Sequence, residues 1–186
     1  MNNVETPEYR KYKLVARLIQ GSYKGRVYDP NGEQLGDFDG KTHEELISTL
    51  RIFVDELINE KANSRTLAPV ASEYVQAFQN IINDIPDSYL AMLKAHYIAP
   101  DQTMTATQLA EAGNYKNWSS ANLHYGLLGK RIYEEMPMKL EARADGTLIY
   151  TGALATEGMA SQNEKEWLWK LRPEVSDAIK HLGLQN

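Results

Sequence analysis

The 186-residue chain has no cysteine, which excludes a disulfide framework, a thiol nucleophile and any thiolate-held zinc or iron-sulfur site. A reducing interior is its natural compartment. No run approaches the ~20 apolar residues that a membrane-spanning helix requires. Met1 to Arg10 carries neither a basic segment leading into an apolar stretch nor a lipidation motif, so the expectation is a soluble, cytoplasmic protein without membrane partners. A basic excess is also missing. Lys plus Arg number 20 against 25 Asp plus Glu, a formal charge of -5, which excludes a nucleic-acid coat. The four histidines, His43, His96, His124 and His181, lie far apart without ligand spacing, so neither a metal nor a cofactor is expected. What remains is enough for a core: 42% apolar residues with 11 Tyr and 3 Trp make disorder an unsuitable description.

Two halves are legible in the patterning. Tyr12 to Gln20 and Gly25 to Tyr28 are β-rich, and Asp29-Pro30-Asn31-Gly32 supplies turn residues, giving a hairpin or a three-stranded meander. Thr42 with Glu45 forms a capping box, and Leu46, Leu50, Phe53, Val54, Leu57 and Ile58 recur at helical spacing, predicting a helix from about His43 to Glu60 over that sheet. Lys61 to Ala68 is polar and precedes Pro69, which places a boundary near residue 64. Residues 65–85 then read as a connecting helix with Tyr74, Val75, Phe78, Ile81, Ile82 and Ile85 as its apolar set, bridging the two halves.

Residues 86–186 carry three helical signals in close order. Pro86-Asp87-Ser88 opens a helix with Leu90, Leu93 and Tyr97 that Pro100 stops. Thr105 with Gln108 caps a short helix that Gly113 closes in the left-handed conformation. After Asn114-Tyr115-Lys116-Asn117, a longer helix runs from about Ser119 to Met136. A hairpin follows, Lys139 to Arg143 and Thr147 to Ala155 around Asp145-Gly146, then a polar loop from Thr156 to Asn163 and a third strand at Trp167 to Leu171. Arg172-Pro173-Glu174 starts a closing helix with Val175, Ala178, Ile179 and Leu182, ended by Gly183. The fold class read from this order is α+β: an N-terminal β-sheet-plus-helix domain followed by a winged helix-turn-helix domain.

On the longer helix, Ala121, Tyr125, Leu128 and Ile132 share a core-facing stripe, while Ser119, Asn122, Gly126, Gly129 and Tyr133 form a second. In a helix-turn-helix protein the start of this helix meets base edges in the major groove, which nominates Lys116, Asn117, Trp118, Ser119 and Asn122, with Lys130 and Arg131 placed for phosphates. Arg143 belongs to the hairpin that, with the Thr156 to Asn163 loop, is the candidate wing. A purely structural account competes at each position. Gly126 and Gly129 read better as tight-packing positions, Asn117 and Ser119 are ordinary caps, and Trp118 reads as a core staple before a base-stacking group. Leu123 and Leu127 suggest a helix buried on two faces.

The segments Leu93 to Tyr97, Ala99-Pro100, Thr105 to Ala110, Asn114 to Asn117 and Ala121 to Lys130 resemble a bacterial winged-helix module associated with restriction-type HNH endonucleases and free-standing mobile-element proteins. The resemblance continues through Trp167 to Leu182 and so spans the C-terminal half. It implies DNA reading, of modified DNA among the options, with Asn122, Tyr125, Gly126 and Lys130 at matching positions. The chain departs from endonuclease architecture in having no HNH core, so cleavage is not implied.

Between Arg10 and Arg26 stand six basic residues, Arg10, Lys11, Lys13, Arg17, Lys24 and Arg26, and no acidic one. With Tyr12 and Tyr23 interleaved, this is a candidate second basic surface for a phosphate backbone and stacked bases. The simpler account is a solvated sheet face paired with Glu44, Glu45 or Asp55, and it is preferred. Gly36 to Thr42 imitates a phosphate loop but has three residues between its glycines where four are needed. Asp29, Asp39 and Lys41 imitate a metal-dependent nuclease site, yet a glycine turn is a poor place to hold ligands. The reading is therefore a non-enzymatic protein that binds duplex DNA in a restriction-related, antiviral-defence or phage context. The competing readings are a protein-interaction module or phage-borne inhibitor of a host defence complex, and a nuclease built on Asp29, Asp39 and Lys41.

Overall fold

A computed structural model of the chain describes residues 3–5, 8–160 and 167–185. It divides into two compact units, Met1–Ser64 and Arg65–Asn186.

The first unit is an antiparallel sheet of β1 (Asn3–Glu5), β2 (Lys13–Ile19), β3 (Ser22–Tyr28) and β4 (Gln34–Gly40) in sequential order, covered by α1 (His43–Ser64). Strand alternation decides which side faces the helix: Leu14, Ala16 and Val27 are buried, whereas Lys13, Arg17, Lys24 and Arg26 lie on the outer face. The β2–β3 turn has positive φ at both Gln20 and Gly21, the twist a two-residue hairpin demands. The Thr42 hydroxyl accepts the Glu45 N–H at 3.1 Å, fixing the start of α1. From there Leu46, Leu50, Val54 and Ile58 recur on the buried stripe. The strand β4 is not evident in the sequence. It takes strand form by pairing with β3, with Asp37 and Asp39 opposite Arg26 and Lys24 in register and Phe38 packed against Phe53.

The second unit comprises α2 (Ala71–Ile81), α3 (Asp87–Ile98), β5 (Thr103–Thr105), α4 (Ala106–Ala112), α5 (Trp118–Glu135), β6 (Ala155–Ala160), β7 (Trp167–Leu171) and α6 (Pro173–His181). The three strands form an antiparallel sheet in the order β5-β7-β6. The helix expected as a connector, α2, is part of this unit: Tyr74 and Phe78 are fully buried and α2 packs on α6 and α5. Tyr125, Leu128, Ile132, Leu109, Val175 and Ile179 complete the core.

Several expectations for this half are corrected. The helix α4 ends at Gly113 with φ -85, and the left-handed residue is Asn114, at φ 55. Gly113 is small for another reason: a Cβ there would lie 2.7 Å from the Tyr115 ring and 2.9 Å from Met92. Residues 139–155 do not form a full hairpin. The pairing is confined to 141–149, where Arg143 N–H donates to the Thr147 carbonyl and Ile149 N–H to the Glu141 carbonyl, each at 2.8 Å, on either side of the Ala142 and Leu148 pair; Tyr150–Ala153 is a 3-10 turn with its backbone pressed against α5. The expected loop from Thr156 begins instead with the strand β6, whose pairing partner is β7. The rest of that loop, residues 161–163, lies outside the described residues. Among those residues no helix is long and apolar enough to cross a membrane.

Candidate nucleic-acid interface

The start of α5 is built by local hydrogen bonds. The Asn117 side chain accepts the Ser120 N–H at 2.9 Å, capping the helix, and the Thr105 and Gln108 pair does the same for α4. The intervening turn is clamped by aromatic contacts. The Tyr115 ring stacks on His124 with centroids 4.5 Å apart, the Tyr115 and Ser88 hydroxyls lie 2.8 Å apart, and the Tyr89 hydroxyl shares a hydrogen bond with His124 Nδ1 at 3.1 Å. These contacts leave Lys116, Asn117, Trp118 and Ser119 exposed at the tip. The staple role expected for Trp118 is therefore corrected: the indole is 56% exposed. Burial of α5 on a second face is corrected as well, since Leu123 is 60% and Leu127 39% exposed. Among the described residues the neighbouring segment meets α5 at Gly126 and Gly129 instead.

That approach accounts for the two glycines. The backbone of Tyr150 occupies the place where a Cβ on Gly129 would stand, and Thr151 lies beside Gly126. The turn is anchored from two further directions: the Tyr74 hydroxyl donates to the Ala153 carbonyl at 2.8 Å, and Arg172 Nε donates to the Gly152 carbonyl at 2.7 Å. Between this segment, the start of α5 and the sheet lies a cavity of about 990 Å³. All three tryptophans, Trp118, Trp167 and Trp169, line it. So, among the described residues, do Asn122 and three cations, Lys139, Arg143 and Arg172, against one carboxylate, Glu141. The Oδ1 atom of Asn122 is buried and has no hydrogen-bond partner among the described residues. An acceptor left so is costly and is normally satisfied by a partner.

The wall carrying Trp169 is held by a buried imidazole. His96 is fully buried, with Nε2 2.8 Å from the Trp169 carbonyl and Nδ1 2.7 Å from the Tyr125 hydroxyl. A carbonyl only accepts, so Nε2 carries the proton and Nδ1 of the neutral ring accepts from Tyr125. Burial lowers the His96 pKa and raises that of the Tyr125 phenol, keeping both groups uncharged. Trp169 also lies parallel to Tyr125, ring centroids 5.8 Å apart and planes 10° from one another. The roles of Trp167, Trp169 and His96 escape sequence reasoning, because the sheet that brings them to α5 joins residues far apart in the chain.

The other nominated residues are more engaged. Arg131 Nη1 donates to the Asp84 carbonyl at 3.2 Å, and Lys130 lies 3.9 Å from Glu134 and over the Tyr150 ring. Arg143 is exposed beside the Asp145 turn, where its Nη1 is 3.4 Å from Thr147 Oγ1. In the first unit the cations are largely matched. Arg26 pairs with Asp37 at 2.8 Å, Lys24 with Asp39, and Arg10 with Asp55 at 3.0 Å. The expected partners Glu44 and Glu45 are not those used by Lys24 and Arg26, which pair across the strands instead; Glu45 turns back to accept the Lys41 N–H. Tyr12 is no stacking group, being buried with its hydroxyl accepting from Lys61. Tyr23 makes an edge contact with His43. Lys11, Lys13 and Arg17 complete the basic stretch, Lys13 and Arg17 on the outer sheet face. Asp29 accepts the Glu33 and Asn31 N–H groups at 2.8 and 2.9 Å, which lowers its pKa, and serves the turn. Asp39 is taken by Lys24. Among the described residues no group of three or more His, Asp and Glu is placed to hold a metal. Comparison with protein-family models, with curated proteins and with solved structures returned no match.

Proposed function

We propose that the second unit binds DNA, without cutting it, as a winged helix-turn-helix in which α5 is the reading helix. The element order α3, β5, α4, α5, β6, β7, with β7 between its two sheet partners, is what supports the winged-helix description. The observation that carries the function is convergence. Lys116 and Ser119 are exposed at the start of α5, and Asn122 of the same helix lines the cavity that Lys139, Arg143 and Arg172 also line. Hydrogen-bonding side chains at a helix start read base edges, and flanking cations neutralise phosphates. An overall charge of -5 disfavours indiscriminate adhesion, so affinity has to come from this local concentration of positive charge. The restriction-related or phage context rests on the residue resemblance alone.

The test is a titration of labelled plain, methylated and single-stranded DNA at two salt concentrations, with Lys116→Ala, Asn122→Ala and Arg143→Ala alongside the parent. The reading expects Lys116→Ala and Arg143→Ala to weaken binding to every sequence and to reduce the salt slope by about one each, and Asn122→Ala to weaken discrimination. Unchanged affinity in all three variants rejects the site. A second reading, docking of a basic protein, is favoured by the exposed Leu123 and Leu127 one turn apart on α5. Absence of DNA affinity at low ionic strength, together with loss of a captured protein on Leu123→Ser, selects it instead.

A further inference from the structure

We infer that the tryptophan-lined cavity of the second unit accepts one unpaired nucleobase, with its phosphate held by Arg143 and Lys139. The inference rests on the DNA-binding reading and narrows it from duplex in general to DNA carrying an unstacked base. Three observations carry it.

The first is the aromatic surface. Trp118 and Trp167 are 56% and 61% exposed, an unusual state for the largest apolar side chain, and both belong to the cavity lining. Trp169 adds a third indole that is braced by the parallel Tyr125 ring and by the hydrogen bond from His96 to its carbonyl. A flat, braced ring beside two exposed ones is suited to a flat ligand, and aromatic platforms of this kind bind bases through their π-faces with little regard to sequence. A paired duplex keeps those faces covered by its own stacking, so only an extruded or unpaired base presents one.

The second is charge. Among the described lining residues Lys139, Arg143 and Arg172 stand against one carboxylate, Glu141, in a chain that is acidic overall. An apolar peptide has no use for that excess, whereas a nucleotide brings a phosphodiester to it. The third is the orphaned amide. Asn122 lines the cavity with its Oδ1 buried and unpartnered among the described residues. The exposed edge of a base carries N–H donors that such an acceptor lacks, and an asparagine amide pairs a donor with an acceptor in the spacing that base edges use. A cavity of about 990 Å³ is at the upper end of the range for small-molecule sites and has room for one nucleotide, not for a helix of stacked pairs.

The experiment uses the full chain and two labelled duplexes of one sequence, fully paired or with one bulged thymidine, read by anisotropy. Because all three tryptophans line the cavity, their emission is followed in parallel as a direct report of occupancy. The parent protein is expected to bind the bulged duplex about tenfold or more tighter than the paired one, with quenched emission. Trp167→Ala is expected to bring the ratio of the two affinities close to one, and Trp167→Phe, which keeps a ring, to restore most of it. Since Trp167 is largely exposed, the Ala variant is not expected to lose the fold, and circular dichroism checks this. Equal affinity of the parent for both duplexes overturns the inference while leaving the DNA-binding reading intact. No binding of either at low salt overturns both. Quenching by a proline-rich peptide, with none by the bulged duplex, assigns the cavity to protein recognition and likewise overturns it.

Discussion

The carbonyl group of Tyr150 stands against Gly129 so closely that its carbon lies 2.8 Å from where a Cβ on that glycine would be. One turn earlier on the same helix, a Cβ on Gly126 would meet only the Thr151 methyl, at an ordinary 3.8 Å. The two glycines therefore respond oppositely to alanine. Gly129→Ala has to displace backbone and is expected to cost about 1–3 kcal/mol, the usual range for overpacking. Gly126→Ala gains helix propensity at no steric cost and is expected to be neutral or stabilising by up to about 1 kcal/mol. Urea unfolding of the two variants checks the pair, and equal effects would show that the 3-10 turn does not lie on α5.

His96 sets a pH dependence. Its pKa in the folded protein is lowered by burial from the ordinary 6.5. Above pH 6.5 neither the folded nor the unfolded chain protonates this ring, and its contribution to stability is fully present. Below it the unfolded chain takes up a proton that the folded chain refuses, so stability falls as the pH falls. Denaturation midpoints measured between pH 8 and 5 should decline over this window, and His96→Gln should show a smaller decline from a lower starting value.

Tyr125→Phe tests the same contact from its other side. The variant leaves His96 Nδ1 buried without a donor, for which about 1–3 kcal/mol is the expected cost. A loss well below that range would mean the hydroxyl does not serve the imidazole.

Arg143 and Arg131 are both exposed arginines of the second unit, and they should differ in DNA binding. Arg131 already donates to the Asp84 carbonyl, whereas Arg143 faces the tryptophan-lined cavity. Arg143→Ala is expected to lower both affinity and salt slope, and Arg131→Ala to have the smaller effect on each. Anisotropy titrations across a salt series separate them.

The outer face of the first unit's sheet is an electrostatic stalemate, Lys24 and Arg26 being answered by Asp39 and Asp37. Exposed pairs of this kind add little to stability and a good deal to surface potential. Asp37→Asn with Asp39→Asn should leave the unfolding midpoint unchanged and increase retention on heparin. Unchanged retention would show that these carboxylates do not mask the cations.

The helices were legible because each has a stripe of recurring apolar residues and its own punctuation: Leu46 to Ile58 on α1, Tyr74 and Phe78 on α2, Ala121 to Ile132 on α5. The strands β4 and β6 were not, for the same reason in both. Gln34–Gly40 holds two glycines and two aspartates, and Ala155–Ala160 two alanines, a glycine and a glutamate, so neither has strong strand character and each owes its conformation to the neighbour it pairs with. The tip of α5 was read correctly as exposed at Lys116, Asn117 and Ser119, while Trp118 was underestimated because a lone tryptophan gives no sign of which way it turns. The cavity itself is nonlocal: Trp118 and Trp167 come to line one space only once β7 is seated between its partners.

A buried imidazole bonded at both nitrogens joins α3 through His96, α5 through Tyr125 and β7 through Trp169. In a protein with no sulfur cross-links, that ring does the work of a three-way clasp. None of the three segments can peel away by itself without stranding a polar group in the dry interior, so the amides around them should exchange with solvent only when the whole unit opens, at a single shared rate.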